Sequence, residues 1–305
     1  MFPRRVCSAD NMLKLIGLGI SADLITLRSL LELAKCKRIL VDSYTSIWFP
    51  SIDSLIDMLK KLNKDCAKVY RESLEGKAIS EIIAMSREED VCIAVIGDPL
   101  IATTHSSLIV EAFKQGVEVE VIPSTTILSV AISLSCLQVY RFGKCVTLVK
   151  PRNNIVFEYP IYVIEENRNR NLHTILLLDL DVVQGYYMTP KEAANLLVKL
   201  QERLGKKVLE YDDYVIILGA IGSECGFVQV LKLYELMESE DRYDTPPYTM
   251  IIPAKKLHPV EEECIEMLRL RRINFRPKIS MMDVYRVIKV LSSDMNREQI
   301  NKGVV

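Results

Sequence analysis

The chain has 305 residues, of which 49% are hydrophobic, and its 39 basic residues nearly balance 40 acidic ones. This length allows two domains of ordinary size, and the balanced charge disfavours a broad basic face for nucleic acid. No apolar run is long enough to span a membrane, and residues 1–11 lack the apolar stretch of a signal peptide. We therefore expect a cytoplasmic protein with neither a membrane nor a nucleic acid as a direct partner.

Short apolar runs alternate with amphipathic segments as far as residue 125, which predicts a parallel sheet covered on both faces. The predicted strands are Leu13–Gly19, Arg38–Ser43, Lys68–Glu72, Val91–Gly97 and Val117–Ile122. The predicted helices are Leu24–Cys36, Ile52–Leu62, Lys77–Arg87 and Ser106–Lys114.

After Pro123 the pattern changes and predicts a second α/β domain with a mixed sheet. Thr126–Cys136 is expected to form a buried helix, and Thr189, Pro190 and Glu192 give the next clear helix an N-cap, an N1 proline and a capping box. The other predictions are a helix over Pro190–Leu204 and strands over Cys145–Val149, Ile175–Asp179, Tyr214–Gly219 and Thr249–Ile252.

We expect domains at residues 12–123 and 124–265 with a cleft between them, and an Arg-rich helical extension over residues 266–305. The extension contains Arg269, Arg271, Arg272 and Arg276. It is interpreted either as a surface helix docked on the body or as a basic appendage that contacts a macromolecule, and the first is favoured because charge runs are usually solvated.

Cysteine and histidine usage indicates no metal site. The eight cysteines contain no C-x-x-C pair, so they are expected to be small buried residues in a reducing compartment, with no disulfide framework. His105, His173 and His258 are too far apart in sequence to predict metal binding, and His173 is expected to be structural.

The segment Gly97–His105 reads Gly-Asp-Pro-Leu-Ile-Ala-Thr-Thr-His and follows a buried apolar run. Ligands bind outside the carboxyl ends of strands in open α/β sheets, so Asp98 and the hydroxyl pair that follows lie where a small molecule is expected. The alternative is a simple turn in which Asp98 caps the next helix, and the motif alone leaves both open.

The pair Gly17-Leu18-Gly19 ends the first predicted strand, and two interpretations remain. A dinucleotide fingerprint requires glycine at position 22, where the chain has Ala22, and an acid after the second strand, where Asp42 is a candidate. The alternative is an ordinary tight turn. Neither a Gly-x-Ser-x-Gly motif nor a Walker lysine loop occurs, so hydrolysis through a serine and phosphoryl transfer are disfavoured.

Seven segments, in order over about residues 12–262, make the chain resemble the diphthine synthase family of the tetrapyrrole-methylase-like group. They are Gly17-Leu18-Gly19 with Asp23 to Thr26, Tyr44-Thr45-Ser46, Gly97–His105, Tyr140-x-Phe142-Gly143-Lys144, Leu172-His173-Thr174 with Leu176–Asp179, Met188-Thr189, and Pro246-Pro247 with Lys256-Leu257-His258.

This resemblance implies two α/β domains, a homodimer and S-adenosyl-L-methionine bound in the cleft. It implies translation elongation factor 2 as the protein substrate, methylated on the amine of a 3-amino-3-carboxypropyl-histidine to give diphthine in diphthamide biosynthesis. The family's cofactor contacts correspond to Ile20, Asp98, Ile101, Thr126, Ile127, Leu178, Ile221 and Tyr248.

Two of these positions depart from the family pattern, since Thr126 replaces a frequent serine and Tyr248 a frequent histidine. No catalytic residue is identified, because methyl transfer to a desolvated amine needs no dedicated base. Tyr44 is a candidate wall of the acceptor pocket through its aromatic face, or else a packed tyrosine at a strand end.

The alternatives are a methyltransferase of the same fold that acts on a tetrapyrrole or RNA, and a non-catalytic module that keeps the cofactor site. Lys144, Lys255 and Lys256 are candidates for docking the protein substrate, or else ordinary solvated lysines.

Overall fold

The computed structural model describes residues 12–153, 155–240 and 243–302, with side chains described up to residue 293. The chain divides into two compact units. Unit 1 comprises the residues up to Thr126 together with those from Lys278 onward, and unit 2 comprises Ile127–Pro277. The division follows Thr126, whereas we predicted a boundary after residue 123, and residues 266–305 are shared between the two units.

Unit 1 contains a five-stranded sheet in which every pair of neighbouring strands is parallel. The strand order is β3-β2-β4-β1-β5, so all five carboxyl ends lie at one edge, as the sequence predicts. The strands are β1 (Met12–Gly17), β2 (Arg38–Asp42), β3 (Asp65–Val69), β4 (Val91–Val95) and β5 (Glu118–Ile122).

Helices cover both faces of this sheet. Successive strand residues point to opposite faces, and each face is buried in its own hydrophobic core. Ile16 and Ala94 belong to one core, and Leu15 and Ile93 belong to the other. The helices are α1 (Leu27–Lys35), α2 (Ile52–Lys61), α3 (Arg71–Leu74), α4 (Ile79–Glu88) and α5 (Ser106–Lys114).

One predicted strand of this unit was wrong in its position. Lys68–Glu72 was expected to be extended, but β3 ends at Val69 and α3 begins at Arg71. Because β3 is an edge strand, only Cys66 and Val69 are buried along it. The exposed positions between them break the apolar pattern, so the sequence does not indicate the first half of this strand.

The cysteine prediction was also wrong in two respects. Cys36 and Cys92 form a disulfide across unit 1, with 6.4 Å between their Cα atoms. Among the free cysteines that the structure describes, Cys136, Cys145 and Cys225 are exposed. The apolar residues around a cysteine do not show which distant cysteine it bonds to. They also do not show whether a cysteine near the end of a helix or strand is exposed.

Unit 2 contains a six-stranded mixed sheet of order β13-β11-β10-β12-β7-β6 and a separate β8-β9 hairpin. Only the β6–β7 pair is parallel among its described pairings. The strands are β6 (Val146–Leu148), β7 (Thr174–Leu178), β8 (Leu180–Asp181), β9 (Tyr186–Tyr187), β10 (Tyr214–Gly219), β11 (Phe227–Lys232), β12 (Tyr248–Ile252) and β13 (Ile273–Asn274). The helices are α6 (Ile127–Leu134), α7 (Tyr159–Asn169), α8 (Pro190–Arg203), α9 (Leu233–Glu238) and α10 (Pro259–Leu270).

The capping box predicted for α8 is only half formed. Thr189 is the N-cap, and its hydroxyl accepts a hydrogen bond from Glu192 N at 3.1 Å. The Glu192 carboxylate instead accepts from the Tyr186 hydroxyl at 2.8 Å. The Glu192 carboxylate therefore binds a tyrosine of the preceding hairpin, whereas a complete capping box would have it bind the backbone N–H of the N-cap residue.

The last helix, α11 (Met281–Lys302), packs against α1 and α2 of unit 1. Val284 and Ile288 are buried in the same core as α1, and Asp23 Oδ1 accepts from Lys278 N and Ile279 N, each at 2.8 Å. This part of the chain is therefore a helix docked on the body. Within the described residues, no helix combines the length and apolar character needed to cross a bilayer.

Candidate ligand site at the carboxyl edge of the first sheet

The loops after β1 and β4 are joined at the carboxyl edge by a pair of backbone hydrogen bonds. Gly19 N donates to Gly97 O at 3.1 Å, and Gly97 N donates to Gly19 O at 2.9 Å. Both glycines have positive φ, +64° and +79°, a conformation that few side chains tolerate. The two glycines of the candidate motifs therefore meet and fix the shape of this edge.

Gly17 is required for a different reason, which is that neighbouring loops approach its backbone closely. A Cβ built on Gly17 would lie 2.5 Å from Ser124 Cβ and 2.8 Å from Gly97 O. The loops after β1, β4 and β5 therefore pack together at a point that has no room for a side chain. This arrangement explains the glycine pair without a dinucleotide fingerprint.

Asp98 is almost completely buried and links two of these loops. Its Oδ1 accepts from Leu100 N at 2.9 Å and its Oδ2 accepts from Ser124 N at 3.1 Å. It does not cap α5, since the residue before that helix is His105 and no side-chain cap is formed there. The helix-cap interpretation of Asp98 is thus wrong. Each carboxylate oxygen keeps further acceptor capacity.

Two serine hydroxyls at this edge are buried without a partner among the residues that the structure describes. They are Ser21 Oγ, in the loop after β1, and Ser124 Oγ, in the loop after β5. A buried hydroxyl without a hydrogen bond costs about 1–3 kcal/mol. Both would gain from a polar ligand, and both went unnoticed in the sequence because serine in a loop carries no special signal.

The loop after β2 is held by Asp42, which is completely buried. Burial raises the pKa of Asp42 to about 6. Its carboxylate accepts from Tyr44 N at 3.0 Å, from Thr45 N at 3.2 Å and from the Thr45 hydroxyl. Asp42 therefore shapes the Tyr-Thr-Ser segment and is not available as a ribose partner.

Tyr44 lies beside His105, which ends the Gly97–His105 loop. His105 is buried, and its Nδ1 lies 3.2 Å from the Pro99 carbonyl oxygen. Its Nε2 is 3.5 Å from the Tyr44 hydroxyl, and the two rings meet edge to face. Burial lowers the pKa of His105 and raises the pKa of Tyr44, so both side chains are neutral at pH 7.

The predicted cofactor contacts of unit 1 are gathered at this edge. Ile20 follows the bridged Gly19, and Ile101 is 44% exposed in the turn that Asp98 closes. Thr126 is buried two residues after Ser124. These four residues, including Asp98, thus come from the loops after three adjacent strands, β4, β1 and β5.

The remaining predicted contacts lie in unit 2, and three of them share one edge of its sheet. The register pairs Gly219 with Tyr248 and Leu177 with Thr249, so Leu178 lies beside Tyr248. Ile221 is the second residue after β10. Ile127 begins α6, which packs against β12.

The family motifs of unit 2 form a buried structural network around Glu261. Ala254 N donates to His173 Nδ1 at 2.9 Å, so the proton of this ring is on Nε2, 3.2 Å from Glu261 Oε1. Arg141 forms an ion pair with the same carboxylate, and His258 N donates to it at 2.9 Å. His173 therefore has a structural role. Sequence reasoning missed Glu261, because two of its partners, His173 and Arg141, are 88 and 120 positions away.

The three candidate docking lysines differ in their surroundings. The Lys144 ammonium pairs with Glu166 Oε2 at 2.9 Å, whereas Lys255 and Lys256 are exposed in the segment between β12 and α10. No group of three or more metal-ligating side chains converges within the described part of the chain.

Comparison with known proteins identifies relatives over most of the chain. Residues 12–223 match the family described as Tetrapyrrole (Corrin/Porphyrin) Methylases. The chain is 43% identical over 258 residues to a diphthine synthase of Sulfurisphaera tokodaii, which covers 84% of this chain and 98% of that protein. It is 40% identical over 252 residues to a diphthine synthase of Staphylothermus marinus, which covers 82% and 91%. A crystal structure of a diphthine synthase matches with a TM-score of 0.74 and 28% identity, over 85% of this chain and 96% of that one.

Proposed function

Because the chain belongs to the tetrapyrrole (corrin/porphyrin) methylase family and, within it, to the diphthine synthases, we propose that it is an S-adenosyl-L-methionine-dependent N-methyltransferase acting on translation elongation factor 2. Its relatives support a methyltransferase of diphthamide biosynthesis. The acceptor that we propose is the amine of the 3-amino-3-carboxypropyl group on a histidine of that factor.

The observation that carries the cofactor proposal is the composition of the carboxyl edge of unit 1. The glycine-lined loops allow close approach, Asp98 offers acceptor oxygens, and the Ser21 and Ser124 hydroxyls lack partners among the described residues. These groups fit a ligand with ribose hydroxyls and an amino-acid end. When bound, S-adenosyl-L-methionine would supply a methyl group on a positively charged sulfur. The amine nitrogen forms a bond to the methyl carbon as the C–S bond breaks, S-adenosylhomocysteine leaves as a neutral thioether, and any N–H proton released from the product goes to solvent.

We propose that the cofactor is held in unit 1 by Ile20, Asp98, Ile101 and Thr126, which lie in the loops at the carboxyl edge. From the family resemblance we also propose contacts in unit 2, at Ile127, Leu178, Ile221 and Tyr248. Apolar identity is compatible with such contacts, because several of them use backbone N–H and C=O groups.

Methyl transfer to an amine requires mainly that the protein position the two reactants. An attacking amine must be neutral, and burial lowers the pKa of an amine without a dedicated base. Holding two reactants in line supplies about 7–11 kcal/mol in well-oriented cases. We therefore assign this chain's residues to binding, orientation and the exclusion of water.

The substrate is a large protein, so a docking surface for it is part of the proposal. Lys255 and Lys256 are exposed and free to attract an acidic patch on a partner, an effect that mainly accelerates association. Lys144 is the weakest of the three candidates, because its ammonium is already paired with Glu166.

Mass spectrometry of elongation factor 2 tests this function. The factor carrying the unmethylated intermediate is incubated with the protein and S-adenosyl-L-methionine, and the modified peptide should gain methyl groups. The factor lacking the 3-amino-3-carboxypropyl group is the control and should gain none. Cofactor binding without methylation would favour a non-catalytic module, and methylation of RNA or of a tetrapyrrole instead would overturn the proposed acceptor.

A further inference from the structure

The carboxyl edge of unit 1 contains a second group of side chains beside the Asp98 loops. In the order β3-β2-β4-β1-β5, the loops after β4, β1 and β5 contain the predicted cofactor contacts. Arg71 is the first residue of α3, directly after β3, and Tyr44 lies in the loop after β2. His105 comes from the far end of the loop after β4. The Gly97–His105 loop is thus common to both halves of the edge.

Arg71 and Tyr44 are in direct contact. The guanidinium carbon of Arg71 lies 5.2 Å from the centre of the Tyr44 ring, and the Arg71 side chain is 65% exposed. Its Nε lies 4.0 Å from Glu75 Oε1, an oxygen that accepts from the Thr104 hydroxyl at 2.7 Å. Arg71 is therefore positioned by the Tyr44 ring and by the Glu75 carboxylate, while most of its side chain is exposed to solvent.

His105 determines whether the Tyr44 hydroxyl donates or accepts in the hydrogen bond between them. The Pro99 carbonyl can only accept, so His105 Nδ1 carries the proton and Nε2 has a lone pair. Because the buried ring is neutral, Nε2 accepts from the Tyr44 hydroxyl, 3.5 Å away. The Thr104 hydroxyl is also next to the Tyr44 hydroxyl, but it donates its own proton to Glu75. The lone pairs of the tyrosine oxygen can therefore accept from a donor on a ligand.

The charges beside this pair suit a ligand that carries both signs. Arg71 is positive, and the carboxylates of Asp42 and Glu75 both act on Tyr44. An arginine fork matches a carboxylate with two parallel hydrogen bonds. A tyrosine oxygen accepts from an amine, and its ring tolerates the cation that successive methylations create.

We propose that this group, Arg71, Tyr44 and His105, is the recognition site for the α-amino-acid head group of the acceptor. Arg71 binds the carboxylate, Tyr44 receives the amine, and His105 is a positioning residue that holds the Tyr44 hydroxyl in one orientation. The inference rests on the proposed function and assigns its acceptor specificity to the segments that follow β2, β3 and β4 in unit 1.

The test measures KM and kcat for the modified factor together with cofactor affinity by calorimetry. Arg71→Gln should raise KM about tenfold, the effect of losing a charge-assisted hydrogen bond, with kcat changed less than twofold. Arg71→Lys should recover only part of this loss, because lysine lacks the fork. The matched control is Arg170→Gln, an exposed arginine of unit 2, which should leave KM unchanged.

Tyr44→Phe and His105→Gln should each lower kcat about tenfold, with Tyr211→Phe as the exposed control. If His105 acts through Tyr44, the double variant loses no more than either single one. Additive losses would show that His105 has a separate structural role and would overturn its assignment.

The cofactor affinity separates this inference from the proposed function. All variants should bind S-adenosyl-L-methionine as tightly as the unaltered protein, because none of the three residues is among the predicted cofactor contacts. Binding of the modified factor to the protein loaded with S-adenosylhomocysteine should weaken for Arg71→Gln alone among the arginine-to-glutamine variants. An unchanged KM for Arg71→Gln overturns the head-group assignment, whereas absent methylation by the unaltered protein overturns the proposed function.

Discussion

Two buried aspartates lie in neighbouring loops of the same sheet edge but use their oxygens differently. Asp42 accepts only from its own turn, whereas Asp98 joins the loop after β4 to the loop after β5. Asp98 was predicted from the sequence because Gly-Asp-Pro follows a buried strand. The role of Ser124 was not, because its contact with Asp98 spans 26 positions and depends on strand order.

Replacing Asp98 tests its contact with the cofactor. Asp98→Ala should weaken binding of S-adenosyl-L-methionine by about 1.5–3 kcal/mol, since it removes an acceptor for a charged or hydroxyl donor. Calorimetry measures the change, and circular dichroism checks that the fold survives the loss of the bonds to Leu100 N and Ser124 N. An unaltered affinity would remove Asp98 from the site.

The buried Asp42 predicts a pH-dependent stability. Its folded pKa is raised from 3.8 to about 6, so its stabilising contribution is fully present below pH 3.8 and is lost as pH rises through 6. Asp42→Asn keeps an acceptor oxygen and cannot ionise. The variant should therefore gain stability relative to the unaltered protein between pH 4 and 7, by about 2–3 kcal/mol. Thermal unfolding at a series of pH values measures this, and a constant difference would contradict it.

At the scale of elements, prediction succeeded where burial is uniform along the chain. β4 is buried at every position and α5 occupies the predicted residues Ser106–Lys114. It failed where one side of an element faces solvent, as in β3. It also missed β11, where Gln229 interrupts the apolar run and Lys232 ends it. The strand β13 is only two residues long and pairs with β11, which is distant in sequence. The residue pattern around β13 does not predict this pairing.

The docking of α11 is open to a direct test. Ile288 is completely buried against unit 1, whereas Val290 on the same helix is 57% exposed. Ile288→Ala should lower the free energy of unfolding by about 2–5 kcal/mol through the cavity it leaves, and Val290→Ala should change it by less than about 0.5 kcal/mol. Urea denaturation compares the two, and equal effects would mean that α11 does not pack on unit 1 in solution.

At the scale of the whole molecule, unit 1 is formed by two separate parts of the chain. The parallel sheet and its helices come before unit 2 in sequence, and α11 comes after it. The return is anchored at Asp23, in the loop that follows the glycine pair of β1. The sequence predicted two α/β units and a helical end of the chain. It did not predict that the end of the chain closes on unit 1, because the partners in that contact are more than 250 positions apart.

A homodimer is a further prediction at this scale, and it follows from the family. The described surface exposes large apolar side chains such as Tyr140, Phe113 and Leu270, which a self-complementary interface would cover. Light scattering over a dilution series should report twice the mass of the chain at micromolar concentration. A stable monomer throughout that range would contradict the dimer.

The central claim is that the carboxyl edge of the first sheet binds S-adenosyl-L-methionine. A crystal structure of the protein with S-adenosylhomocysteine tests it most directly. The ligand should lie against the loops of Gly19, Asp98 and Thr126, and the hydroxyls of Ser21 and Ser124 should gain polar partners from the ligand or from ordered water. Density for the ligand at any other place, with the Asp98 loops unaltered and both hydroxyls still unpaired, would contradict the account.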